Sequence, residues 1–111
     1  MEGVEIRGIE QLSEEEKLEL NKEIESHKEK IRWKTKSDFI LKFVIKEHSH
    51  NKEEGKALRK KYSIQAEIKG ETHTFEASAV DWDFHKVVHK IFTKLLNEVE
   101  HFYHSSEQRN G

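Results

Sequence analysis

Between Lys60 and Phe102 the spacing of the apolar residues changes once, and that change limits the folds open to this chain. Tyr62, Ile64, Ala66 and Ile68 alternate with Lys61, Ser63, Gln65, Glu67 and Lys69. A period of two puts successive side chains on opposite faces, so the segment reads as a strand with one buried face. Gly70 offers the backbone freedom of a tight turn. His73, Phe75, Ala77 and Ala79 then share one face of a second strand, where the small alanines leave room for a helix. Asp81 or Asp83 can cap that helix by accepting from its first free N–H groups. Beyond Asp83 the period lengthens to about 3.6, and Phe84, Val87, Val88, Ile91, Leu95, Val99 and Phe102 form one stripe. Such a helix buries its stripe by lying on the hairpin that precedes it.

The upstream half supplies the other elements. Val4 and Ile6 alternate with Glu5 and Arg7 as a short first strand, and Gly8 and Gln11 mark a loop. Ser13 and Glu16 have the spacing of a capping box, and Glu14, Glu15 and Glu16 suit the positive end of the helix dipole. Leu20, Ile24, His27 and Ile31 then make a narrow apolar stripe, with cations from Lys28 to Lys36 in the last turns. Residues 38–46 are apolar on both faces, which suits a central strand. Residues 47–58 have no apolar period and read as a loop between antiparallel strands. The order is β-α-β-β-β-α. The expected class is α+β, a four-stranded, mostly antiparallel sheet with two helices packed on one face. The expected core holds Leu20, Ile24, Ile31, Phe43, Phe75, Ala77, Val88, Ile91, Leu95 and Val99. Residues 1–104 read as one domain, and residues 105–111 as a disordered tail. Trp33 and Trp82 fall at element boundaries.

Charge is distributed unevenly. The total is −2, yet residues 1–27 hold nine acids against three bases, and residues 28–94 hold sixteen bases against ten acids. A basic middle section points to a polyanionic partner. No apolar run approaches the ~20 residues of a membrane span, and the acidic start lacks the apolar centre of a signal peptide. A cytoplasmic location is expected. The absence of cysteine excludes disulfides and thiolate metal sites.

Within that basic section Lys86, Lys90 and Lys94 stand at i, i+4 and i+8, on the face opposite the apolar stripe. Such a row can follow a phosphate backbone, each ammonium displacing a counterion. Arg32, Lys34 and Lys36 at the end of the first helix are further candidate contacts, as are Arg59, Lys60 and Lys61 at the start of the hairpin. The alternative reading of both groups is a solvated, dipole-compensating surface. Lys42, Lys46, Lys61 and Lys69 have the phase of the uncovered sheet face.

Eight histidines raise the question of metal. His85 and His89 have the i, i+4 spacing of helical zinc pairs, but no glutamate follows His85 as in the metalloprotease pattern. No metal, cofactor or small-molecule substrate is expected. His27 and His73 fall on apolar phases and read as packed residues. No Gly-rich phosphate loop, nucleophile elbow or distinctive carboxylate pair is present, so catalysis is not expected.

Ala77-Ser78-Ala79 at the strand end, Asp83-Phe84 at the helix start and Lys94-Leu95 within the helix are similar to segments of the short ribosome hibernation-promoting factors and ribosome-associated inhibitors. Ser13, Leu20, Ile24 and Ile31 extend the resemblance upstream. It implies a non-enzymatic factor, expected as a monomer, that binds ribosomal RNA of the small subunit. Such a factor suppresses translation by occupying space needed by tRNA and mRNA. The chain departs from that pattern at Asp81, where a small residue is usual, and at His85-Lys86-Val87, where Tyr-Ala-Ala is usual. It departs again at Leu96, Asn97, Glu98 and Glu100, where basic residues usually follow. Double-stranded RNA-binding domains share the same sheet-and-two-helix shape. A generic duplex-RNA binder and a protein-interaction module are therefore the competing readings.

Overall fold

The alternating segment forms the third strand of a four-stranded sheet in the computed structural model, which describes the backbone of residues 3–50 and 59–110 and the side chains of residues 3–48 and 60–103. The elements are β1 (Gly3–Arg7), a 3-10 turn (Ile9–Gln11), α1 (Glu14–Thr35), β2 (Phe39–His50), β3 (Arg59–Gly70), β4 (Thr74–Asp81) and α2 (Phe84–Asn110). The sheet order is β1-β2-β3-β4. β2–β3 and β3–β4 are antiparallel, and β1 lies parallel to β2 with α1 as the connection. This is the α+β fold in the order β-α-β-β-β-α.

Register explains where the core lies. Leu41 pairs with Ile68 and Ile68 with Phe75; Ile45 pairs with Ile64 and Ile64 with Ala79. These rows put the buried residues of three strands on one face. Leu20, Ile24 and Ile31 of α1 and Val87, Val88, Ile91, Leu95 and Val99 of α2 complete the same core. Ala77 is only partly buried, although it packs against that core. Burial of each such aliphatic side chain contributes roughly 1.5–3 kcal/mol.

The helices run side by side in the same direction. His85 contacts Glu19, Phe92 contacts His27 and Glu100 contacts Lys34, each pair separated by nearly the same number of residues. Ser13 caps α1 with both bonds of the capping box: its hydroxyl accepts from Glu16 N at 3.1 Å, and Glu16 Oε1 accepts from Ser13 N at 2.9 Å. The other oxygen of Glu16 accepts from the Tyr62 hydroxyl at 2.7 Å, which ties the helix start to β3. Burial and the Glu16 carboxylate both push the Tyr62 phenol well above its ordinary range.

Several details differ from expectation. β2 continues to His50, because Glu47 to His50 pair with Tyr62 back to Arg59, so the loop expected over residues 47–58 begins later. Residues 51–58 lie outside the described residues. Gly70 does not adopt a left-handed conformation. Its N–H donates to His73 O at 3.0 Å, and an added Cβ would lie 3.1 Å from that oxygen, so close approach is what the turn requires. The loop after β1 is a 3-10 turn docked on β2. Where β1 has ended, the Gln11 side chain takes over its pairing, donating to Ile45 O at 3.0 Å and accepting from Glu47 N at 2.9 Å. The helical backbone of α2 passes the expected tail boundary at Ser105 and reaches Asn110. Side chains from His104 onward lie outside the described residues.

Candidate nucleic-acid interface

The α2 lysines are positioned by the way the helix begins. Asp83, rather than Asp81, is its cap: Asp83 Oδ1 accepts from Lys86 N at 3.0 Å, and Asp83 O accepts from Val87 N at 3.0 Å. Asp81 accepts from Asp83 N at 3.0 Å through one oxygen and from Lys90 Nζ at 2.7 Å through the other. Those bonds, the one from Lys90 first among them, hold the Asp81 carboxyl below its usual range.

The three lysines do not share one orientation. An α-helix turns about 100° per residue, so an i, i+4 row drifts by roughly 40° at each step. The drift carries the row from Lys86, away from the sheet, towards β4. Lys90 bridges to Asp81, and Lys94 Nζ donates to Ser78 O at 2.7 Å. The expectation that all three lie opposite the apolar stripe is thus corrected: Lys90 and Lys94 flank it. β4 is an edge strand, and an ammonium on its outward carbonyl also discourages pairing with another chain. All three residues remain exposed.

Lys61 lies at the start of β3. Its Nζ lies 5.7 Å from the ring centroid of Trp82, in the segment that leads into α2. Lys60 approaches Glu47 at 3.8 Å. The Arg59 side chain lies outside the described residues. The structure therefore groups Lys90 and Lys94 along the β4 edge, with Lys86 at the start of α2, while Lys60 lies against β2 and Lys61 over Trp82. Arg32, Lys34 and Lys36 form a second group at the far end of α1, with Lys34 Nζ 3.2 Å from Glu100. Lys36 ends the helix in a left-handed conformation, φ 55°, its N–H donating to Arg32 O.

The uncovered sheet face is not uniformly basic. Lys42, Lys46, Lys61 and Lys69 have its phase as expected, but Lys42 pairs with Glu5 on one side and Glu67 on the other, and Glu67 pairs with Glu76. These acids make the centre of that face a poor phosphate track.

Three of the histidines, His27, His73 and His85, serve packing and pairing. His27 stacks on Phe92 with centroids 4.5 Å apart, and its Nδ1–H donates to Glu23 O at 2.8 Å. His73 precedes β4 and remains exposed, where its phase predicts a packed residue, but its ring stacks on Phe102 at 4.2 Å. His85 donates to the Glu19 carboxylate, so its partner is an acid rather than His89. Among the described residues no group of three or more His, Asp or Glu converges as metal ligands. Glu19, with smaller contributions from Asp83 and Glu23, raises the His85 pKa above its ordinary value. A raised folded-state pKa adds stability that is complete below the unfolded value, about 6.5, and fades as pH rises through the folded one. Urea midpoints for wild type and His85→Gln are expected to differ most in weakly acidic solution and to converge above neutrality. A gap of constant size across that range would contradict the charged pair.

One exposed feature was not assigned by spacing alone. Trp33 is 76% exposed beside the second cationic group, whereas Trp82 is 39% exposed. No helix of the described residues is long and apolar enough to cross a membrane. Comparison with protein-family models and with curated protein sequences finds no match.

Proposed function

We propose that this protein is a non-enzymatic factor that binds ribosomal RNA of the small subunit in the cytoplasm and suppresses translation by occupying the tRNA and mRNA region. The observation that carries the reading is the exposed row Lys86, Lys90 and Lys94, fixed to a helix that is itself packed on a sheet. Phosphate recognition needs cations at set positions more than it needs particular bases. Here Asp83 sets where the helix begins, while Asp81 and Ser78 restrain two of the ammoniums. The resemblance at Ala77-Ser78-Ala79, Asp83-Phe84 and Lys94-Leu95 supplies the ribosomal target; the structure supplies a surface compatible with it.

The acids of α1 bear on which RNA is bound. Glu14, Glu15 and Glu19 lie at the same end of the molecule as Lys86 and would repel an uninterrupted duplex laid across that end. A shaped cleft can accommodate the basic flank while leaving the acidic helix in solvent. Equilibrium binding to purified small subunits and to a naked RNA duplex, titrated with salt, tests this. Tighter binding to subunits, falling steeply with salt, is expected. Equal or tighter binding to the duplex would make the protein a generic duplex binder. Binding to neither at low salt would favour a protein-interaction module.

A further inference from the structure

We propose that Trp33 is a stacking platform for an unpaired nucleobase, with Lys30 and Lys36 holding the flanking phosphates; this rests on the RNA-binding reading above. Trp33 is the most exposed large apolar residue among those described. It sits near the C-terminal end of α1, where Lys30 precedes it by three positions and Lys36 follows it by three. Lys30 lies one turn before Trp33 on the same helix face, and Lys36, the left-handed C-cap, lines the same depression, so the indole has a cation on either side in the chain. Arg32 and Lys34 are its chain neighbours. Trp33, Leu96 and these long side chains line a shallow depression between the last turns of α1 and the middle of α2.

The acids of the depression are Glu29 and Glu100, and Glu100 is already engaged by Lys34. The balance is cationic, which selects an anionic ligand. An anionic peptide helix would need several apolar anchors at successive turns, whereas Trp33 and Leu96 are the large apolar residues lining this surface. One aromatic ring between cations matches one base with its adjoining phosphates. The base must be unpaired, because bases inside a duplex keep their faces against one another. In a small subunit the ligand would be a single-stranded loop or bulge of rRNA, at the end of the molecule remote from Lys86.

The chain has two tryptophans, so Trp82→Phe leaves Trp33 as the sole indole reporter. Its fluorescence is expected to be quenched on titration with a single-stranded oligouridylate at low salt. A perfect duplex should quench it far less, and Lys30→Gln with Lys36→Gln should weaken the oligouridylate response. Trp33→Ala is expected to weaken small-subunit binding about tenfold while leaving the salt slope unchanged, since stacking releases no counterion. No quenching by the oligonucleotide, equal quenching by duplex, or quenching by a polyglutamate peptide instead would overturn the stacking site. If Trp33→Ala binds subunits as tightly as wild type, the site fails while the ribosomal reading stands. If the oligonucleotide quenches but wild type ignores subunits, the ribosomal reading fails and the single-strand site stands.

Discussion

Phe92→Ala is expected to remove about 3–5 kcal/mol of stability, the range for truncating a fully buried phenylalanine. Phe92 is 2% exposed and stands where three elements meet. Its ring stacks on His27 of α1 at 4.5 Å and tilts against Phe43 of β2 at 5.7 Å. Alanine would leave a cavity bounded by both helices and the sheet, and none of these can collapse into it without moving the others. A domain of this size has roughly 5–15 kcal/mol in total, so the variant should melt more than 10 °C below wild type. Phe92→Leu, which keeps most of the volume, should lose much less. Calorimetry on both variants checks this. A loss below about 1 kcal/mol for the alanine variant would mean that the helices do not share this contact.

Gly8→Ala is the second large effect, and it arises from a single methyl group. Gly8 has φ 87°, and a Cβ there would lie 2.1 Å from the backbone oxygen of Ile45 and 2.7 Å from Gln11 Nε2. The left-handed conformation alone costs an L-residue roughly 1–2 kcal/mol, and forcing apart packed backbone adds a comparable amount. About 3 kcal/mol is expected. Relief of the clash would pull the 3-10 turn off β2 and break the Gln11 bonds to Ile45 and Glu47. Hydrogen exchange should then show faster exchange at the Glu47 amide. A variant with unchanged stability and unchanged protection there would contradict the docked turn.

Features set by neighbours in the chain were legible from sequence. The alternation in β3, the capping box at Ser13 and the order of elements all follow from contacts a few residues long. Asp83 could be narrowed to a choice of two caps for the same reason. Phe92 was not legible as core, because it lies at the border of the α2 stripe and is buried only where α1 covers that flank. Ala77 is shallower than its phase implies, since phase sets which face a residue occupies but not how far the helix extends over it. The lysine row was legible as a row. Its drift towards β4 was not assigned, because it depends on where the strand edge lies. Trp33 carried no periodic signal, and only the absence of a covering element sets it apart.

The central claim is that the flank of α2 binds small-subunit RNA through Lys86, Lys90 and Lys94. Glutamine is the right replacement: glutamate at 90 would face Asp81 and confound binding with folding. Co-sedimentation with purified small subunits across a salt series, with wild type and the Lys86→Gln/Lys90→Gln/Lys94→Gln variant confirmed folded by circular dichroism, tests it most directly. Wild type should pellet with subunits at low salt and be released as salt rises. The variant should stay largely in the supernatant, with a salt slope lower by about three. Wild type remaining in the supernatant at low salt would contradict ribosome binding; a folded variant that pellets like wild type would contradict the role of the α2 lysines.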